Sequence, residues 1–190
     1  MVRGTMGTMG NTIAVPGGHT PQGGVLVGSP SAHKSMVLFE DPQCPYCRRF
    51  ERRSGDMLRR EVAAGAVAVE YRMRCFLGPE SVRADNALAL AAEEGKFDQL
   101  RVELFANQPP EQSGGFREGD LIDLGQLAGL TSANYVSGVH EGSYEEWVLM
   151  VEEAFLEEDR TGTPAAFLDG KAVDTEVLYD PEALGALLRG

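Results

Sequence analysis

Residues 36–73 restrict the possible folds more than any other stretch of the chain. Residues 35–40 (SMVLFE) read as a buried strand, and residues 66–73 (AVAVEYRM) alternate and are rich in β-branched side chains, the pattern of a second strand. Between them residues 44–64 carry helical patterning. Phe50, Met57, Leu58 and Val62 supply an apolar stripe there, and Ser54-Gly55 is a candidate interruption. A strand, a helix and a strand in this order predict parallel strands and a right-handed crossover. Where the first strand hands over to the helix stands Cys44-Pro45-Tyr46-Cys47, preceded by the turn residues Asp41-Pro42-Gln43. Cysteines at i and i+3 of a helix start lie on neighbouring turns of one face. The first sulfur then meets the unpaired N–H groups and the positive end of the helix dipole. That setting stabilises a thiolate, the reactive form of cysteine. The pair reads as a dithiol rather than as packing.

The bulk numbers remove several other function classes. Three cysteines, Cys44, Cys47 and Cys75, are too few for a disulfide scaffold. His19, His33 and His140 show no ligand spacing with them, and tetrahedral zinc needs four ligands, so no metal is expected. Hydrophobic residues at 43% are enough for a core, while 17 Lys and Arg against 29 Asp and Glu leave a formal charge of −12. That balance argues against nucleic acid as a partner. No apolar run approaches the roughly 20 residues of a membrane-spanning helix. Residues 1–24 read as a flexible leader with a peripheral strand at 11–15, and residues 1–10 show no apolar export-signal core.

The rest of the chain alternates in character. Residues 78–160 are mainly helical. Pro79 opens one helix, residues 97–105 form a second, and 108–115 is a loop. Short helices are expected at 120–127 and 131–139, and Ser143-Tyr144-Glu145-Glu146 is a capping-box pattern before a helix burying Trp147, Val151, Ala154 and Phe155. Residues 165–168 then read as a strand, Asp169-Gly170 as a type I′ turn, and 172–178 as the returning strand. Asp180 caps a last helix with Pro181 at its first position and Leu184, Leu187 and Leu188 facing inward. Arg48 and Arg49 read as part of a solvated face, with a place beside a thiolate or an acidic substrate as the alternative.

The stretch Phe39-Glu40-Asp41-Pro42-Gln43-Cys44-Pro45-Tyr46-Cys47 and the stretch Thr161-Gly162-Thr163-Pro164-Ala165-Ala166-Phe167-Leu168-Asp169-Gly170 together resemble the DsbA-like thiol–disulfide oxidoreductases of bacteria, in the thioredoxin-fold superfamily. Phe105-Ala106-Asn107-Gln108 and the helix at Tyr144 to Trp147 look like the same family. The resemblance implies an α/β thioredoxin fold (βαβ…ββα around a central mixed sheet) made of residues 25–77 and 161–190, with 78–160 as a helical insertion. It implies Cys44 and Cys47 as the catalytic pair, Pro45 and Tyr46 as the motif dipeptide, and a cis Thr163-Pro164 peptide that presents backbone groups to an extended substrate. It implies no cofactor beyond a redox-active Cys44–Cys47 disulfide. The partners implied are thiol-containing proteins or peptides and a membrane or small-thiol partner that resets the disulfide. The setting implied is extracytoplasmic, in the cell envelope or secreted, with a cytoplasmic one left open.

Three departures qualify the expected chemistry. Relatives often carry an acid on the strand six residues before the first cysteine, where this chain has Leu38; Glu40, two residues on and on the same strand face, either substitutes for it or is a solvated turn residue. Tyr46 stands where a histidine would add positive charge, so the Cys44 pKa should be lowered less than in the strongest oxidants. The insertion lacks a second cysteine pair, which leaves Cys75 either a small buried residue or a third redox thiol near the site. The resemblance still implies a protein-disulfide oxidase as the leading reading. An isomerase or reductase of the same fold, a glutathione-transferase-like enzyme and a non-catalytic chain-binding module are the alternatives.

Overall fold

The structure is a computed structural model and describes residues 5–8, 11–157 and 162–190. Expectations that fall on residues 1–4, 9–10 and 158–161, Thr161 among them, lie outside the described residues. Strands β1 (Thr5–Thr8) and β2 (Asn11–Ala14) pair antiparallel, so the segment read as a flexible leader includes a hairpin.

The central sheet contains β3 (Val25–Val27), β4 (Lys34–Glu40), β5 (Val67–Met73), β6 (Ala165–Leu168) and β7 (Lys171–Ala172), in the order β3-β5-β4-β6-β7. β4 and β5 run parallel from Lys34↔Val67 to Glu40↔Met73, as a strand–helix–strand unit requires. β6 lies antiparallel on the other side of β4, from Met36↔Leu168 to Phe39↔Ala165, and β7 completes a hairpin with it. Asp169 and Gly170 between β6 and β7 both have positive φ (48° and 78°), the backbone a type I′ turn demands. The sheet is therefore mixed, with the βαβ…ββα order implied above.

The crossover from β4 to β5 is α1 (Pro45–Phe50), a widened π turn (Glu51–Gly55) and α2 (Asp56–Ala63). The interruption expected at Ser54-Gly55 is this π turn. A Cβ on Gly55 would fall 2.4 Å from Glu51 Oε1, so the glycine leaves room for a buried carboxylate. Ser54 Oγ donates to the Leu178 carbonyl at 2.6 Å and ties the turn to the C-terminal segment.

Five helices separate β5 from β6: α3 (Pro79–Glu93), α4 (Phe97–Ala106), α5 (Glu118–Leu127), α6 (Ala133–Glu141) and α7 (Glu145–Glu157). α3 contacts the other four and is buried almost all round through Ala84, Ala87, Leu88, Ala89, Leu90 and Ala91, which makes it the centre of this layer.

The structure corrects three local expectations. Only Lys171 and Ala172 return as strand; Thr175–Leu178 is helix α8, with Asp174 in extended backbone at its cap position. On α9 (Pro181–Arg189) Leu184 and Leu188 face the core, whereas Leu187 is 40% exposed. On α7 the buried face is Trp147, Val148, Glu152 and Phe155, while Ala154 is exposed.

Candidate active site

The turn between β4 and α1 is fastened by one carboxylate. Asp41 is fully buried, and its Oδ1 accepts hydrogen bonds from Gln43 N (2.9 Å) and Ser81 Oγ (2.6 Å). Its Oδ2 accepts from Leu77 N (3.2 Å). Burial pushes the Asp41 carboxyl up to about 7, although all three donors favour the carboxylate. Gln43 donates through Nε2 to Ser81 Oγ (3.0 Å) and accepts from Gln112 N (2.9 Å). Gln108, just past α4, donates through Nε2 to the carbonyls of Pro42 (2.7 Å) and Cys44 (3.0 Å). The helical layer thus holds the cysteine loop by its backbone.

Cys44 occupies the cap position of α1 with extended backbone, and Pro45 follows at the first helical position, where a missing N–H costs nothing. Cys44 Sγ donates to the Thr163 carbonyl at 3.3 Å, across 119 residues of sequence. The Thr163-Pro164 peptide is cis. Cys44 is 5% exposed and Cys47 is fully covered, so Cys44 is the more accessible sulfur, though by a small margin. A hydrogen bond from the Cys47 thiol lowers the Cys44 pKa to about 6 against the opposing effect of burial. The Thr163 hydroxyl and the N–H groups of Cys47 and Tyr46 act in the same direction. The Thr163 hydroxyl oxygen is buried with no hydrogen-bond partner of its own, so its proton is free to turn to the sulfur. Cys47 is driven the opposite way: burial, then the neighbouring Cys44 and Glu40 charges, push its thiol well up.

Glu40 is not a solvated turn residue. It is wholly buried and meets Arg101 of α4 through Nε–Oε2 (2.7 Å) and Nη2–Oε1 (3.2 Å). Arg101 also donates to Glu51 Oε2 (2.8 Å) and Asp98 Oδ1 (3.2 Å), and lies 4.3 Å over the Tyr71 ring. Burial would raise Glu51, but Arg101 and Arg59 outweigh it and hold that carboxyl below its usual range. Burial raises Glu40 to about 7, with Arg101 pulling down and the charges of Glu51 and Asp98 pushing up. A carboxyl that titrates near neutrality thus stands within electrostatic reach of Cys47.

Cys75 is buried in the main apolar core, whereas Cys44 and Cys47 form a separate small cluster with Phe105. Burial, together with the charges of Asp85 and Glu152, pushes the Cys75 thiol up, and its N–H is held by Glu152 at 3.1 Å. Beside Thr163, whose carbonyl accepts from Cys44 Sγ, a groove of about 410 Å³ is lined by Tyr46 and Arg49 of α1, residues 162–167, Ala172, Val173, Thr175 and Tyr179. Tyr46 stands 61% exposed at its mouth.

Of the groups near the sulfurs, Asp41, Ser81, Gln108, Glu51 and Arg101 were not foreseen as functional. Only Arg101 has a sequence signal. It falls on the apolar stripe Phe97, Leu100, Arg101, Leu104 and Phe105, and a cation within such a stripe needs a buried partner.

A sequence profile described as Thioredoxin matches residues 20–188. The chain belongs to this thioredoxin family. Among solved structures it is similar to the reduced form of the disulfide bond oxidoreductase DsbG from Mycobacterium tuberculosis, with 26% identity, a TM-score of 0.77, and coverage of 90% of this chain and 88% of that one. It is also similar to oxidised DsbA of the same organism, with 26% identity, a TM-score of 0.75, and coverage of 87% and 91%. Among curated proteins it is 29% identical over 181 residues to the serine/threonine-protein kinase PknE of Mycobacterium tuberculosis, covering 87% of this chain and 31% of that protein. The chain thus spans about a third of that relative's length. The DsbA-like resemblance read from the two motifs agrees with the thioredoxin-family match and with both structural neighbours.

Proposed function

We propose that this thioredoxin-family chain is a DsbA-like thiol–disulfide oxidoreductase acting on protein thiols through Cys44 and Cys47, and that it works chiefly as an oxidase. The observation that carries the reading is the asymmetry of the pair: Cys44 faces Thr163 at 3.3 Å with its pKa drawn down to about 6, while Cys47 is sealed and drawn up.

In the oxidised protein a substrate thiolate attacks Cys44 Sγ. The Cys44–Cys47 bond breaks, a substrate–Cys44 mixed disulfide forms, and Cys47 leaves with the electron pair and takes a proton. Glu40, held at about 7 nearby, is suited to supply that proton. A second substrate thiolate then attacks the substrate sulfur of the mixed disulfide, and Cys44 leaves as a stabilised thiolate. Two electrons pass from the substrate dithiol to the pair, and a membrane or small-thiol partner removes them. The redox group is the pair itself. An oxidant of this kind would be held reduced by a glutathione-buffered cytosol, which favours an extracytoplasmic setting.

A lowered Cys44 pKa stabilises the reduced form and makes the disulfide oxidising. The value of about 6 lies between the roughly 7 of thioredoxin and the roughly 3.5 of DsbA. Equilibration in graded thiol buffers should therefore give a potential between about −270 and about −120 mV. A value at or below the thioredoxin end removes the oxidase assignment. Cys44→Ser should abolish both insulin reduction and the oxidative refolding of a reduced protein. Wild-type rates in that variant would remove the redox reading altogether.

A further inference from the structure

Among the described residues, the groove beside Cys44 is lined by neutral groups with one exception, Arg49. The exception stands out in a chain whose formal charge is −12. Arg49 is exposed on the first helical turns after Cys44, and its guanidinium carbon lies 4.7 Å over the Tyr179 ring. Tyr179 is itself fixed, donating from its hydroxyl to the Tyr46 carbonyl at 3.3 Å. Among the described residues no carboxylate pairs with Arg49. Its neighbours on the helix are used differently: Arg53 donates to the Tyr179 carbonyl at 2.7 Å, and Arg59 is bound to Glu51 and Asp56.

A guanidinium whose face rests on an aromatic ring keeps its N–H donors in its own plane, pointing sideways. Arg49 lines the groove with its guanidinium carbon over the Tyr179 ring. It is ordered by the ring beneath it, so little further freedom is lost when a planar anion docks on it, and a carboxylate matches it with two parallel hydrogen bonds. We infer that Arg49 is a specificity determinant: the groove takes an extended polypeptide segment in which an Asp or Glu lies close to the reacting cysteine, its carboxylate docking on the Arg49 edge. This rests on the oxidoreductase reading above and narrows its substrates from protein thiols in general to cysteines with an acidic neighbour.

The test uses the oxidised full chain and a set of short single-cysteine peptides. Glu, Gln or Lys is placed in turn at each position flanking the cysteine, and the rate of mixed-disulfide formation is measured. Each protein's preference is expressed as the ratio of its Glu to its Gln rate, which cancels any change in the reactivity of Cys44. At the best position the wild-type ratio should be about 1.5-fold to fivefold, the range expected of an exposed charge pair, and should shrink with added salt. Arg49→Gln should bring the ratio to one, Arg49→Lys should retain part of it, and Arg49→Glu should transfer the preference to the Lys peptide. Arg49 is exposed, so these variants should fold. Equal rates for all three peptides in the wild type, or a Glu preference that survives Arg49→Gln, would overturn the inference and leave the oxidoreductase reading standing. No exchange with any peptide would remove that reading and the inference with it.

Discussion

Glu40 shows how one side chain changes role when its surroundings are known. A carboxyl near the end of a strand costs little if it reaches water. Here it is sealed in, shares Arg101 with Glu51, and is held at about 7. Its charge is one of the influences that raise Cys47. Glu40→Gln removes that charge while keeping the shape, so the Cys47 thiol should titrate at lower pH. The release of substrate from a trapped mixed disulfide, followed against pH, should lose its inflection near neutrality in this variant. An unchanged profile would mean that Glu40 serves Arg101 alone. Asp41, also held at about 7, is the other carboxyl close enough to contribute, and Asp41→Asn is the matching control.

At the scale of elements, α4 is locked to the end of β4 and to the π turn that follows α1. Arg101 of α4 bonds to Glu40 at the end of β4 and to Glu51 in the π turn, so three elements meet on one guanidinium. Replacing a whole buried network by apolar groups is often harmless, but removing one partner strands the others. Arg101→Met should accordingly destabilise the protein by about 3–5 kcal/mol, since the buried Glu40 loses its cation and Glu51 keeps only Arg59. Urea unfolding measures this directly. A loss under about 1 kcal/mol would show that the carboxyls can take up protons at little cost. The stripe on α4 made Arg101 visible as an anomaly in the sequence. Its partners were not visible, because they lie 50 and 61 residues away on elements whose relative placement no local pattern encodes.

For the whole molecule, the thiolate links redox state to stability. The folded Cys44 pKa of about 6 lies below its reference of 9.0. A depressed pKa contributes stability that is fully present above the unfolded value and is lost as pH falls through the folded one. The reduced wild type should thus gain on reduced Cys44→Ser between about pH 6 and 9, at up to about 1.4 kcal/mol per pH unit. Below pH 6 the difference between the two should stay constant. Glu40 and Asp41 have the opposite sign, since raised carboxyls lose their contribution as pH rises through about 7; Glu40 is common to both proteins and cancels in the difference, while Asp41, which the Cys44 charge helps to raise, cancels only in part. Paired denaturation curves across this range give the answer. Parallel curves at all pH values would mean that Cys44 is not a stabilised thiolate.

Much of this protein was legible from local sequence. The strand–helix–strand unit follows from periodicity at residues 35–73, the β6–β7 turn from Asp169-Gly170, and the dithiol from the spacing of Cys44 and Cys47 at a helix start. These are short-range properties: which faces alternate, which residues tolerate positive φ, which groups are left unpaired at a helix end. Some misreadings were local as well, since a helix start at Asp174 and an exposed Leu187 turn on packing that the apolar pattern alone does not rank. Tertiary structure alone decided the rest. It brought the Thr163 carbonyl to the Cys44 sulfur, buried Glu40 against Arg101, and left Arg49 lining a groove that is otherwise neutral among the described residues. The reason is physical. A side chain's propensity is its own, but its pKa, its accessibility and its partner depend on the surfaces that close around it.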